Sequence, residues 1–201
     1  MPVERVTFSG KHVRLEPMTL EHHAGLCAAG LDPDLWRWTW GQVLTPADMR
    51  AYMESALRDQ AADTALPFVI VDLASGKVIG SSRFGNIDRV QRRLEIGWTW
   101  VSRRWQRTAA NTEAKLLLLT HAFEVLGCVR VEFKTDALNE PSRKALLRIG
   151  ATEEGTFRKH GVTDRGRIRD SVYYSIVDDE WPAAKARLEG FLANPRGSLA
   201  V

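Results

Sequence analysis

The chain has 201 residues, 44% hydrophobic and 26% charged, with a formal net charge of +3. That is the composition of a folded protein, and the length suits one domain, since domains run to about 100–200 residues. No apolar run approaches the roughly 18 residues of a membrane span. Met1–Arg5 lacks the apolar stretch of a secretion signal, and the distant Cys27 and Cys128 read as thiols in a reducing compartment, so a cytoplasmic protein with no membrane partner and no metal site is expected.

Val6–Pro17 reads as a strand interrupted by a turn at Ser9-Gly10, with Val13 and Leu15 alternating with Arg14 and Glu16. Thr19 can cap a helix that ends near Gly30, and Asp32–Trp40 is a turn-rich aromatic connection. Thr45-Pro46-Ala47-Asp48 is a strong helix start, with threonine as cap and proline at the first helical position. Phe68–Leu73 and Lys77–Phe84 form a hairpin across Ala74-Ser75-Gly76, and Arg92–Val101 is a further strand. The spacing of Leu116, Leu119, Phe123 and Leu126 predicts a helix over Thr112–Leu126, closed by Gly127. Val129–Thr135 alternates as a half-buried strand, and Glu140–Ile149 is helical before Gly150. A strand begins at Thr156–Phe157, Arg169–Val177 is the last strand, and Glu180–Leu192 the last helix. The whole is an α+β domain over residues 1–193, with a mixed sheet and helices on its faces, followed by a loose tail over 194–201.

Two arginine clusters stand out. Arg83, Arg89, Arg92, Arg93, Arg103, Arg104 and Arg107 form one; Arg158, Lys159, Arg165, Arg167 and Arg169 form the other. They are either solvated surface or an anion site. Nucleic acid is the less favoured partner, because no helix carries a base-reading motif. Neither Gly-x-x-x-x-Gly-Lys-Ser/Thr nor Gly-x-Gly-x-x-Gly occurs, which excludes a P-loop and gives dinucleotide binding no support.

The central feature is the strand Leu94–Val101, the basic small-residue turn Ser102–Asn111, and the helix from Thr112. Free N–H groups and the positive end of a helix dipole attract an anion there. Thr108, Ala109 and Ala110 are small enough to let it approach the backbone.

This arrangement resembles the Gcn5-related N-acetyltransferases (GNAT), specifically the RimJ/RimL-like branch. In that family the turn reads Arg/Gln-x-x-Gly-x-Gly/Ala and holds the pyrophosphate of acetyl-CoA. Here Arg104 takes the first motif position and Ala109 the last, while Arg107 stands where the first glycine is expected. His12–Pro17 resembles the family's opening strand. Asn139–Arg143 with Leu147–Ala151 resembles its Asn-x-x-Ser…Gly-Phe/Ala stretch, Asp170–Ile176 resembles its closing strand, and Glu180-Trp181-Pro182 is typical of the branch. The resemblance covers residues 6–182.

It implies the GNAT fold, in which two central strands splay into a V-shaped cleft. Acetyl-CoA lies in the cleft, and the acceptor amine attacks the thioester directly in a ternary complex, with no covalent enzyme intermediate. The implied cofactor-binding residues are Trp98, Thr99, Trp100 and Val101 on the cleft strand, Arg104, Arg107, Thr108, Ala109, Ala110, Asn111 and Thr112 at the turn, and Asn139 and Ser142 beyond the next strand. The acceptor is a primary amine, either a protein N-terminus or a small molecule, and the family also allows a homodimer. The chemistry needs a base, a polarised carbonyl and a proton for the leaving sulfur. Glu95 is the first candidate base, or else a surface glutamate paired with an arginine; Glu132 is the weaker choice. Relatives use a tyrosine or serine as the proton donor. No tyrosine falls within Asp136–Ile149, so Ser142 is the candidate, unless it serves only to begin a helix. Trp36, Trp38 and Trp40 are either core residues or a wall at the acceptor entrance. The alternative to an enzyme is a non-catalytic acyl-CoA-binding module.

Overall fold

A computed structural model describes residues 4–194. All of the expected tail except Asn194 lies outside the described residues. The strands are β1 (Phe8–Ser9), β2 (Val13–Pro17), β3 (Leu66–Asp72), β4 (Val78–Asp88), β5 (Arg93–Val101), β6 (Arg130–Asp136), β7 (Thr152–Val162) and β8 (Ile168–Val177). The helices are α1 (His23–Gly30), α2 (Pro46–Ala61), α3 (Ala109–Thr120), α4 (Glu140–Arg148) and α5 (Trp181–Ala193).

The strands form one sheet in the order β1-β2-β3-β4-β5-β6-β8-β7. Every neighbouring pair is antiparallel except β5 and β6, which run parallel. The parallel step needs a crossover, and α3 supplies it.

Alternation along the strands sorts residues between two faces. On one face Leu15, Phe68, Ile70, Leu94, Ile96, Val131, Phe133 and Tyr174 pack with Ala110, Ala114 and Leu118 of α3, Leu146 of α4 and Leu188 of α5. On the other, Val69 and Trp100 pack with Leu26 of α1 and Met49 and Met53 of α2. Beyond β5 that second face turns polar, carrying Glu132, Lys134 and Asp136 along β6.

Local chemistry sets the helix ends. The Thr45 hydroxyl accepts from the N–H of Asp48 at 3.1 Å while the Asp48 carboxylate accepts from that of Thr45 at 2.9 Å, a reciprocal cap on α2. α3 begins at Ala109, three residues before the Thr112 start that its apolar repeat suggests, because Thr108 caps it by accepting from the Ala110 N–H at 3.2 Å. Such a cap is worth about 1 kcal/mol. Towards its other end the helix widens into a π turn over His121–Val125, closed by the Leu126 N–H donating to His121 at 2.9 Å. β7 spans eleven residues, longer than the short strand expected at Thr156–Phe157. It is an exposed edge strand, so it lacks the buried alternation that marks strands in sequence.

Candidate functional site

β5 and β6 pair only at Arg93–Arg130, Leu94–Val131 and Glu95–Glu132. From Ile96 and Phe133 onward they part, leaving a wedge with unpaired strand edges on both lips. A bulge turns β5 away. Opposite β4, Ser81 faces Trp100 and Arg83 faces Gly97, so Trp98 and Thr99 together stand against Ser82. Trp98 takes φ +50° there. An extra residue of this kind bends a strand and sharpens its twist. Gly80 makes room for the bend, since a Cβ on it would lie 2.2 Å from the Trp100 carbonyl oxygen.

The turn after β5 delivers the N-terminus of α3 beside the wedge. The N–H groups of Thr108, Ala109 and Asn111 precede the first helical acceptor, whereas that of Ala110 meets the Thr108 hydroxyl. Thr112 lies deeper: it is buried, and its hydroxyl accepts from Arg148 at 3.3 Å. Arg107 adopts φ +58°, the left-handed conformation glycine takes most readily, and points to solvent. Arg104 is exposed and lies over the Trp105 ring. Neither has a carboxylate within ion-pair distance among the described residues. Most other arginines of the first cluster are engaged: Arg83 with Asp59, Arg89 with Asp63, Arg93 with Asp88 and Glu132, Arg103 with Asp32 and Asp34. Asn111 holds a buried side-chain oxygen with no hydrogen-bond partner among the described residues.

Glu95 sits at the last paired position, where the wedge opens, and is only 4% exposed. Its neighbours Leu94 and Ile96 face α3, so Glu95 faces the opposite side. Asn86 donates to its carboxylate at 2.7 Å and the Lys134 ammonium lies at 3.5 Å. Burial pushes its pKa up from the usual glutamate value, against the pull of Lys134 and Asn86. Glu132 is instead bound into ion pairs with Arg93 and Arg130.

Asn139 caps α4, its side-chain oxygen accepting from the Ser142 N–H at 3.2 Å. Ser142 is half-buried, and its hydroxyl makes no hydrogen bond among the described residues. The nearby tyrosine comes from elsewhere in the chain: Tyr174 on β8 donates to Glu153 at 2.8 Å and accepts from Arg143 at 3.1 Å.

The tryptophans divide. Trp36 is core, packed against Tyr52 and Trp100. Trp38 and Trp40 line a rim with the β7–β8 hairpin, where Arg167 lies over Trp38, Arg169 over Trp40, and His160 stands against Trp40 and Tyr173. Asp136, fully buried, ion-pairs with both Arg167 and Arg169.

Sequence reasoning missed Lys115. It is 6% exposed, and its Nζ donates to Thr99 Oγ1 at 3.0 Å. A signal existed: Asn111, Lys115, Leu118 and Ala122 fall on one helical stripe, and all but half-buried Asn111 are buried.

The family model described as "Acetyltransferase (GNAT) domain" matches residues 12–152. The chain is 37% identical over 113 residues to "Putative ribosomal N-acetyltransferase YdaF" of Bacillus subtilis (strain 168), covering 56% of this chain and 61% of that protein, so the matched part falls short of two thirds of that relative. The crystal structure of a GCN5-related N-acetyltransferase from Brucella melitensis superposes with a TM-score of 0.88 at 35% identity, covering 96% of this chain and 87% of that one. Mycobacterium smegmatis RimJ in complex with CoA-disulfide superposes with a TM-score of 0.75 at 25% identity, covering 89% and 88%.

Proposed function

The chain belongs to the GNAT family of acetyltransferases, whose acetyl donor is acetyl-CoA, and from that premise we propose that it acetylates a primary amine, foremost a protein N-terminus, in a ternary complex. The observation that carries the reading is the wedge between β5 and β6 with the buried carboxylate of Glu95 at its apex. Acetyl-CoA supplies an activated acetyl thioester; everything else falls to the chain.

The residues present suit that donor. Arg104, Arg107 and the free N–H groups at Thr108, Ala109 and Asn111 hold its pyrophosphate. The unpaired edge of β5 from Trp98 to Val101 accepts the pantetheine arm as an added strand. Asn139 and Ser142 border it from α4. A main-chain N–H of the bulge polarises the thioester oxygen. Glu95 takes the proton of the attacking amine, directly or through water, from the face opposite α3. Lys134 and Asn86 keep its carboxylate in place.

The rim of Trp38, Trp40, His160 and Tyr173 suits a peptide, its flat rings meeting apolar side chains. The name of the YdaF relative, a putative ribosomal N-acetyltransferase, supports a protein acceptor. The test is CoA release in the presence of acetyl-CoA with peptides of free N-terminus, the same peptides blocked at the N-terminus, and small amines. Release only with free peptides is expected. Release with small amines alone would overturn the peptide reading.

A further inference from the structure

Lys115 is buried with no acidic partner among the described residues, which is costly for a cation and adds nothing that methionine could not supply as packing. Its position is specific. The side chain leaves α3 toward the mouth of the wedge, where Nζ donates to Thr99 on the β5 lip and stands 5.5 Å from the ring centroid of Phe133, the first residue of β6 beyond the paired part. The Thr99 hydroxyl is fixed in turn by Ser82 at 2.8 Å. Lys115 therefore spans the opening on the α3 face, while Glu95 occupies the opposite face.

We propose that Lys115 is the catalytic acid of the transfer, its ammonium giving the departing CoA sulfur the proton it needs. The inference rests on the acetyl-CoA reading above. As the amine nitrogen bonds to the acetyl carbon, the carbon–sulfur bond breaks with its electron pair on sulfur. The surplus proton of the amine goes to the Glu95 carboxylate, and the Lys115 ammonium gives one proton to sulfur. The pair resets when the Glu95 proton returns to the Lys115 amine through water.

The environment matches both roles. Desolvation lowers Lys115 to about 7, partly opposed by the charge of Glu95, while burial raises Glu95. An acid and a base poised towards neutrality each transfer a proton most effectively. The other ionisable groups nearby are engaged. Glu113 accepts from the N–H groups of Lys11, His12 and Val13, Lys134 faces Glu95, and Arg148 donates to Thr112.

The experiment uses Lys115→Met, which keeps the unbranched apolar stem and removes only the ammonium, with Thr99→Val as a second variant that removes the hydrogen bond to Nζ. Three readouts are taken on each folded protein: CoA affinity, ultraviolet titration of the thiol of bound CoA, and turnover. The wild-type protein is expected to lower the pH at which bound CoA ionises relative to free CoA. Lys115→Met returns it towards the free value and cuts turnover about a hundredfold or more, with affinity changed only a few-fold. Thr99→Val moves the titration in the same direction. An unchanged titration together with unchanged turnover in either folded variant overturns the role of Lys115 and leaves the donor site standing. Failure of the wild-type protein to bind CoA overturns the donor site and this inference with it.

Discussion

The role proposed for Glu95 rests on two facts of position: strand alternation turns it away from α3, and it stands at the last position where β5 and β6 pair. Burial raises its pKa, so protonation begins at a higher pH than for an exposed glutamate. A base works as the carboxylate. Turnover should therefore fall as pH drops through that raised value, above the usual 4.5. The same shift means that ionising Glu95 costs folding stability as pH rises, so Glu95→Gln should fold well at neutral pH. It should lower kcat by roughly 10²–10⁴-fold and erase the acid limb of the profile. A folded Glu95→Gln protein with wild-type kcat would remove Glu95 from the mechanism. Ser142, whose N–H donates to the capping Asn139, competes with Lys115 for the role of proton donor. Ser142→Ala separates them: if Lys115 is the acid, Ser142→Ala keeps most of the turnover, and a loss as large as that of Lys115→Met would favour the serine.

The turn and the first turn of α3 act as one element. Arg107 holds the left-handed conformation that the family's glycine would take, at a cost of about 1–2 kcal/mol for a residue with a Cβ. The side chain is exposed, as the proposed contact with the pyrophosphate requires. Ala109→Phe should raise KM for acetyl-CoA with the melting temperature little changed, as read by steady-state kinetics and thermal unfolding. An unchanged KM would contradict the assignment of the turn. Much of this element is legible in the sequence: Arg104, the small residues and the strand before them mark it. The true helix start is not, because capping by Thr108 precedes the apolar repeat by a full turn. The bulge at Trp98 and Thr99 is equally hidden, since it arises from pairing with β4 across the hairpin rather than from local preference. Lys115 escapes for a related reason: a lysine on a helix reads as solvated until the sheet is placed over it.

At the scale of the molecule, the sheet carries the two halves of the proposed reaction on opposite faces. α3, α4 and α5 cover one face and place Lys115, Ser142 and the turn proposed for the pyrophosphate there. α1 and α2 cover only part of the other, and the polar stretch of β6 and the rim of Trp38, Trp40 and the β7–β8 hairpin lie beyond them. The order of strands and helices along the chain follows from alternation and turn residues that the sequence displays, while the order of strands within the sheet does not. The partition of the three alternating tryptophans does not: Trp36 enters the core only because Tyr52 and Trp100 meet it from α2 and β5. The proposed transfer requires acetyl-CoA to enter the wedge. The most direct test is calorimetric titration of the folded protein with acetyl-CoA, with desulfo-CoA alongside. Saturable binding of both at micromolar affinity is the expected result; no heat of binding from either would contradict the account.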